Sequence, residues 1–137
     1  MGAAPLWARQ GGLQVKLKLL IGVVALAVST TAAAMPVSTF LAKADSLQRK
    51  GALAIFSGDL KLLMNQIKAD AASLRADNKA AEAAGRRKAY CTPEGGVKLS
   101  NRDIIDAMNA VPPQQRAATD TRTALRAYFA RRFPCPA

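Results

Sequence analysis

The chain has 137 residues, no histidine, and 20 basic against 9 acidic residues, a net charge of +11. That length holds one modest domain. The missing histidine excludes Ser–His and Cys–His nucleophile pairs and the commonest general base. Two cysteines without histidine cannot complete a zinc site of four nitrogen and sulfur ligands, so no metal or other cofactor is expected.

Leu19 to Val28 is an unbroken ten-residue apolar run, LLIGVVALAV. Arg9, Lys16 and Lys18 precede it, and small residues ending in Ala32-Ala33-Ala34 follow. A basic stretch, a short apolar stretch and an A-x-A site make a secretory signal over residues 1–34, cleaved after Ala34. The run is half the roughly 20 residues that a spanning helix needs, so stable membrane insertion is not expected after cleavage. A periplasmic or secreted location follows. The remaining domain, 35–137, has 103 residues with 17 basic against 9 acidic, or +8. Such a charge draws acidic protein faces or anionic lipid, and export makes nucleic acid an improbable partner.

After the signal, apolar residues recur at helical spacing. Val37, Phe40, Leu41, Ala44 and Leu47 form the first stripe, with Ser38 placed to cap it. Asp45 and Arg49 stand four apart in the favourable orientation, and Gly51 marks a stop. A short apolar turn, Ala52 to Phe56, comes next. Ser57 then caps a long helix with Asp59 in its first turn, and Leu60, Leu63, Met64, Ile67, Ala71 and Leu74 make its stripe. The pattern runs on through alanines to Gly85, so the far end is expected to be exposed. Arg86-Arg87-Lys88 closes this helix, where cations suit the dipole.

Cys91-Thr92-Pro93-Glu94-Gly95-Gly96 is loop chemistry, without the Gly-Lys-Ser/Thr pattern of a phosphate loop. Ser100 to Asp103 forms a capping box for a third helix carrying Ile104, Ile105, Met108 and Val111, ended by Pro112-Pro113. Thr119 or Asp120 caps a last helix whose buried face is Leu125, Tyr128, Phe129 and Phe133. The fold class is therefore all-α, a small bundle of about four helices. Cys91 and Cys135 are the only cysteines, and their even count in an exported chain argues for one structural disulfide. The carboxylates are scattered, and Asp103, the one with a close helical neighbour in Asp106, has a capping role. No catalytic residue is assigned, and an enzyme is not expected.

Cys91-Thr92-Pro93, a glycine turn, a short helix, a proline break, Ala124-Leu125 and Phe133-Pro134-Cys135 together resemble the Rap/Tai family over residues 90–136. These are periplasmic immunity proteins that neutralise the peptidoglycan amidase effectors of type VI secretion. The resemblance implies a small, disulfide-bonded helical fold, often a homodimer, that docks on its effector and blocks the active-site cleft. A protein partner, an amidase effector in this reading, is thus expected, with the loop of Arg86, Arg87, Lys88 and Tyr90 as the contact. The competing expectation is a helical envelope structural protein or stress holdase, which shares the size, disulfide and helical content.

Overall fold

The computed structural model describes residues 34–137. The basic and apolar parts of the expected signal, with Leu19 to Val28, lie outside the described residues; Ala34, the expected cleavage residue, is exposed. Four α-helices follow: α1 (Val37–Lys50), α2 (Gly58–Ala83), α3 (Asn101–Asn109) and α4 (Thr121–Arg132). Short 3-10 turns occupy Gly51–Phe56 and Pro113–Gln115.

The first helix starts differently from expectation. Pro36 stands at its N-cap, with no side-chain cap, and Ser38 is an exposed helical residue. The orphan N–H groups of the first turn are taken instead by a distant loop. Val37 N donates to Thr119 O at 2.9 Å, and Ser38 N to Arg116 O at 3.0 Å. Thr121 N returns a bond to Met35 O at 2.9 Å, completing an isolated antiparallel bridge between Pro36 and Asp120. Backbone acceptors thus do the work of a serine cap.

The other ends follow local chemistry. Gly51 has φ 55°, a left-handed conformation that stops α1 at little steric cost. Ser57 Oγ accepts from Asp59 N at 3.3 Å and caps α2. At the far end Gly85, φ 66°, donates to Glu82 O, and Arg86 N reaches Ala81 O at 2.8 Å. This pair of bonds is a Schellman closure. Asp120, rather than Thr119, caps α4 by accepting from Thr123 N at 2.7 Å.

The core gathers one stripe from each helix. Val37, Phe40 and Leu47 of α1 join Leu63, Ile67 and Leu74 of α2, then Ala107, Met108 and Val111 around α3, and Ala124, Leu125 and Phe129 of α4. Helix α4 is central, packing on both α2 and α3, while α1 lies along α2. Beyond Leu74 the alanine-rich end of α2 is largely exposed, as its small side chains require. Cys91 and Cys135 are disulfide-bonded, with Cα atoms 4.8 Å apart, and Cys91 N donates to Phe133 O at 2.8 Å. The loop before α3 and the tail after α4 are thereby tied together. The described residues belong to one unit. Its core, helix caps and disulfide are all internal to 35–137.

The capping box is formed as the sequence implies. Ser100 Oγ accepts from Asp103 N at 3.2 Å, and Asp103 Oδ2 accepts from Ser100 N at 2.9 Å. Asp103 Oδ1 also accepts from the Tyr128 hydroxyl at 2.6 Å, so one carboxylate joins α3 to α4. The Ser100 and Tyr128 hydroxyls hold the Asp103 carboxyl down to about 2, and the bond to Asp103 pushes the Tyr128 hydroxyl up. A depressed folded-state value contributes stability above the unfolded value of 3.8, which is lost as pH falls through about 2. The melting temperature is therefore expected to fall between pH 4 and pH 2. In Asp103→Asn that part of the decline should flatten; an unchanged slope in a pH series of thermal melts would assign the acid loss to other carboxylates.

Candidate functional site beside the disulfide

The Schellman turn sets up a strongly basic surface of the domain. It ends α2 sharply and turns Arg86 and Arg87 outward, where both are exposed. The chain then runs back along α2. Asn78 holds it there: its Nδ2 donates to Tyr90 O at 2.8 Å, and its Oδ1 accepts from Ala89 N at 2.9 Å. One side-chain amide satisfies two backbone groups that would otherwise lack partners.

Tyr90 does not belong to the exposed contact loop expected from the sequence. It is 4% exposed, and its ring stacks on Phe129 at 4.9 Å. Phe129 in turn meets the Tyr128 and Phe133 rings at 6.1 and 6.3 Å. The physical reason is area: an aromatic ring held beside a fixed apolar helix face gains more by burial than by display. That burial pushes the Tyr90 hydroxyl up. Tyr90 thus forms the floor beneath Arg86 and Arg87 and the clefts around them. Lys88 is half-buried and pairs with Glu82 at 3.3 Å, so Arg86 and Arg87 are the freer members of the expected set.

Three adjoining depressions share Tyr90 as a wall. A cleft of about 280 Å³ is lined by Asp77, Asn78, Arg86, Arg87 and Arg126 among others. Another of about 330 Å³ carries Arg75, Thr92 and Lys98 beside Gly95 and Gly96. A third, about 200 Å³, brings Lys79 and Lys88 to the disulfide edge. Seven cations therefore surround Tyr90, against two carboxylates, Asp77 and Glu82. Both carboxylates are engaged already, Asp77 by Arg122 and Glu82 by Lys88. Among the described residues Arg75, Arg86, Arg87, Lys98 and Arg126 have no ion-pair partner. Arg75, Lys98 and Arg126 were not legible as site residues. They come from three separate segments, and no local pattern links them to Arg86.

Such a surface can bind acidic groups. Guanidinium forks take carboxylates in bidentate geometry, and clustered like charge raises the local concentration of acidic partners. No group of three or more metal-ligating side chains occurs among the described residues, and none of their helices is long and apolar enough to cross a membrane. No protein family, curated protein or solved structure matches the chain.

Proposed function

We propose that this chain is an exported, non-enzymatic protein that acts by binding an acidic face of another protein through the basic surface around Tyr90. In the immunity reading that partner is a peptidoglycan amidase effector, and docking covers its active-site cleft. The observation that supports this most is the unneutralised cluster of Arg75, Arg86, Arg87, Lys98 and Arg126. Arg75 and Arg126 stand on α2 and α4, and the segment that follows Arg86 and Arg87 is held by Asn78, Tyr90 and the disulfide. A rigid mount lowers the ordering cost of association, and charge complementarity speeds encounter and selects partners.

Co-expression with a periplasm-directed amidase effector from the same strain tests the reading. The expected result is protection from lysis and a stoichiometric complex on gel filtration. Arg86→Glu with Arg87→Glu should weaken that complex at least tenfold and reduce its salt dependence, because the lost contacts are electrostatic. Lysis without protection and no complex would eliminate that effector as the partner. Equal affinity of the double variant would remove the basic surface from the interface.

A further inference from the structure

A second surface, built from different residues, remains unexplained by the basic cluster. The 3-10 turn Gly51–Phe56 leaves Leu53 71% exposed, Ile55 69% and Phe56 83%, while Ala54 alone of the turn packs on the core. Three large apolar side chains within four residues, all turned to water, form an arrangement that marks an interaction site. Both ends of the turn are held. Gly51 takes its positive φ at the start, and Ser57 N donates to Ala54 O at 2.9 Å at the finish. A Cβ at Gly51 or Gly58 would meet no atom within 4 Å, so space beside both ends of the turn is open.

The charges around it are one-sided. Lys50 immediately precedes the turn, with its Nζ 3.5 Å from Ser57 Oγ, and Lys61 follows on the first turn of α2. The carboxylates nearby are already matched: Asp45 pairs with Arg49, and Asp59 pairs with Lys43 at 2.6 Å, which holds the Asp59 carboxyl down. Lys50 and Lys61 make no ion pair among the described residues. An exposed apolar turn flanked on both sides in the chain by an unneutralised lysine, Lys50 before it and Lys61 after it, is complementary to an apolar phase behind anionic headgroups.

We infer that this turn is a docking element for an anionic bilayer surface. Leu53, Ile55 and Phe56 enter the boundary between headgroups and acyl chains, and Lys50 and Lys61 meet the phosphates. Binding is peripheral and reversible, because three side chains and two cations fall far short of a spanning helix. This inference is independent of the protein-binding proposal, since the two surfaces share no residue.

The sequence provides the probe. The only tryptophan is Trp7, outside 35–137, so Phe56→Trp in that domain is a single reporter at the tip of the turn. With vesicles of phosphatidylglycerol and phosphatidylcholine the emission should shift to the blue, and brominated acyl chains should quench it. Phosphatidylcholine vesicles alone, or about 0.5 M salt, should weaken partition about tenfold, as screening of lysine–phosphate attraction predicts. In vesicle sedimentation Phe56→Asp should lose partition at least tenfold; the residue is exposed, so the core is untouched. Lys50→Gln with Lys61→Gln should lose more than the charge-matched Arg86→Gln with Arg87→Gln. Three outcomes overturn the inference: an emission of the Phe56→Trp variant that is neither shifted nor quenched, equal losses in the two glutamine pairs, or no vesicle binding together with a dimer that Phe56→Asp dissociates. The last would assign the turn to a second copy of the chain.

Discussion

Reduction of the Cys91–Cys135 bridge is expected to destabilise the domain by about 4 kcal/mol, the chain-entropy value for a closed loop of this length. Typical domain stabilities are about 5–15 kcal/mol, so the reduced form should stand near its unfolding threshold. The core gives reason to expect a large effect. It holds few large side chains: Ala107 and Ala124 occupy fully buried positions, and the lone buried tyrosine sits directly beside Cys91. The loop from Tyr90 to Leu99 contains no helix, and the bridge supplements the single backbone bond from Cys91 to Phe133. Urea unfolding of the oxidised domain, of the same domain with reductant, and of Cys91→Ser with Cys135→Ser gives the measurement. The reduced protein and the double variant should agree, with the midpoint well below that of the oxidised form. A loss under about 1 kcal/mol, far below the chain-entropy value, would show that Asn78 and the Tyr90–Phe129 stack already hold the loop and tail.

The second large effect concerns Asp70, a carboxylate only 7% exposed in the middle of α2. Thr121, fully buried at the start of α4, donates its hydroxyl to Asp70 Oδ2 at 2.5 Å, and Gln66 Nε2 donates to Oδ1 at 3.0 Å. Burial pushes the Asp70 carboxyl up, and the two donors offset only part of that desolvation. Thr121→Val keeps the shape but removes one donor from a buried anion. A hydrogen bond to a charged group contributes roughly 1.5–3 kcal/mol, so a loss of about 2 kcal/mol is expected at neutral pH.

The pH dependence has a definite sign. Because the folded state binds its proton more tightly than the unfolded state, Asp70 lowers stability as pH rises through its raised folded value. Below the unfolded value of 3.8 that penalty is absent. The cost of Thr121→Val should therefore be largest at neutral pH and shrink as pH falls towards 4. Asp103 acts in the opposite sense and at lower pH, so the two carboxylates separate in a pH series. A Thr121→Val penalty that is constant from pH 4 to pH 8 would mean that packing, rather than the buried charge, carries the effect.

Much of this fold is legible because helices declare themselves within four or five residues. The stripe from Leu60 to Leu74, the Ser57 cap, the Ser100–Asp103 box and the Gly51 and Gly85 stops are each short-range patterns. The disulfide was legible for a different reason: two cysteines leave one pairing. Ser38 failed as a cap because its rivals were the carbonyls of Arg116 and Thr119, far along the chain, which no local pattern reveals. Thr121 and Asp70 are 51 residues apart, and nothing in either segment indicates that one buries the other.

The candidate site shows the same division. Arg86 and Arg87 stand out as a basic run, yet whether the neighbouring tyrosine points outward or into the core depends on Phe129, on another helix. The turn at Leu53 to Phe56 is apolar in sequence, yet its large side chains face water.

Amino-acid order alone thus specified the helices, their ends apart from the start of α1, the cysteine pair, the excess positive charge and the lack of histidine chemistry, because these depend on neighbours in the chain or on composition. Tertiary packing decided which cations meet around Tyr90, which carboxylate is buried, and which apolar side chains remain outside. The first two outcomes depend on what α4 places against α2 and the third on how the turn sits against α1 and α2, and desolvation and charge pairing act between groups close in space, however far apart they lie along the chain.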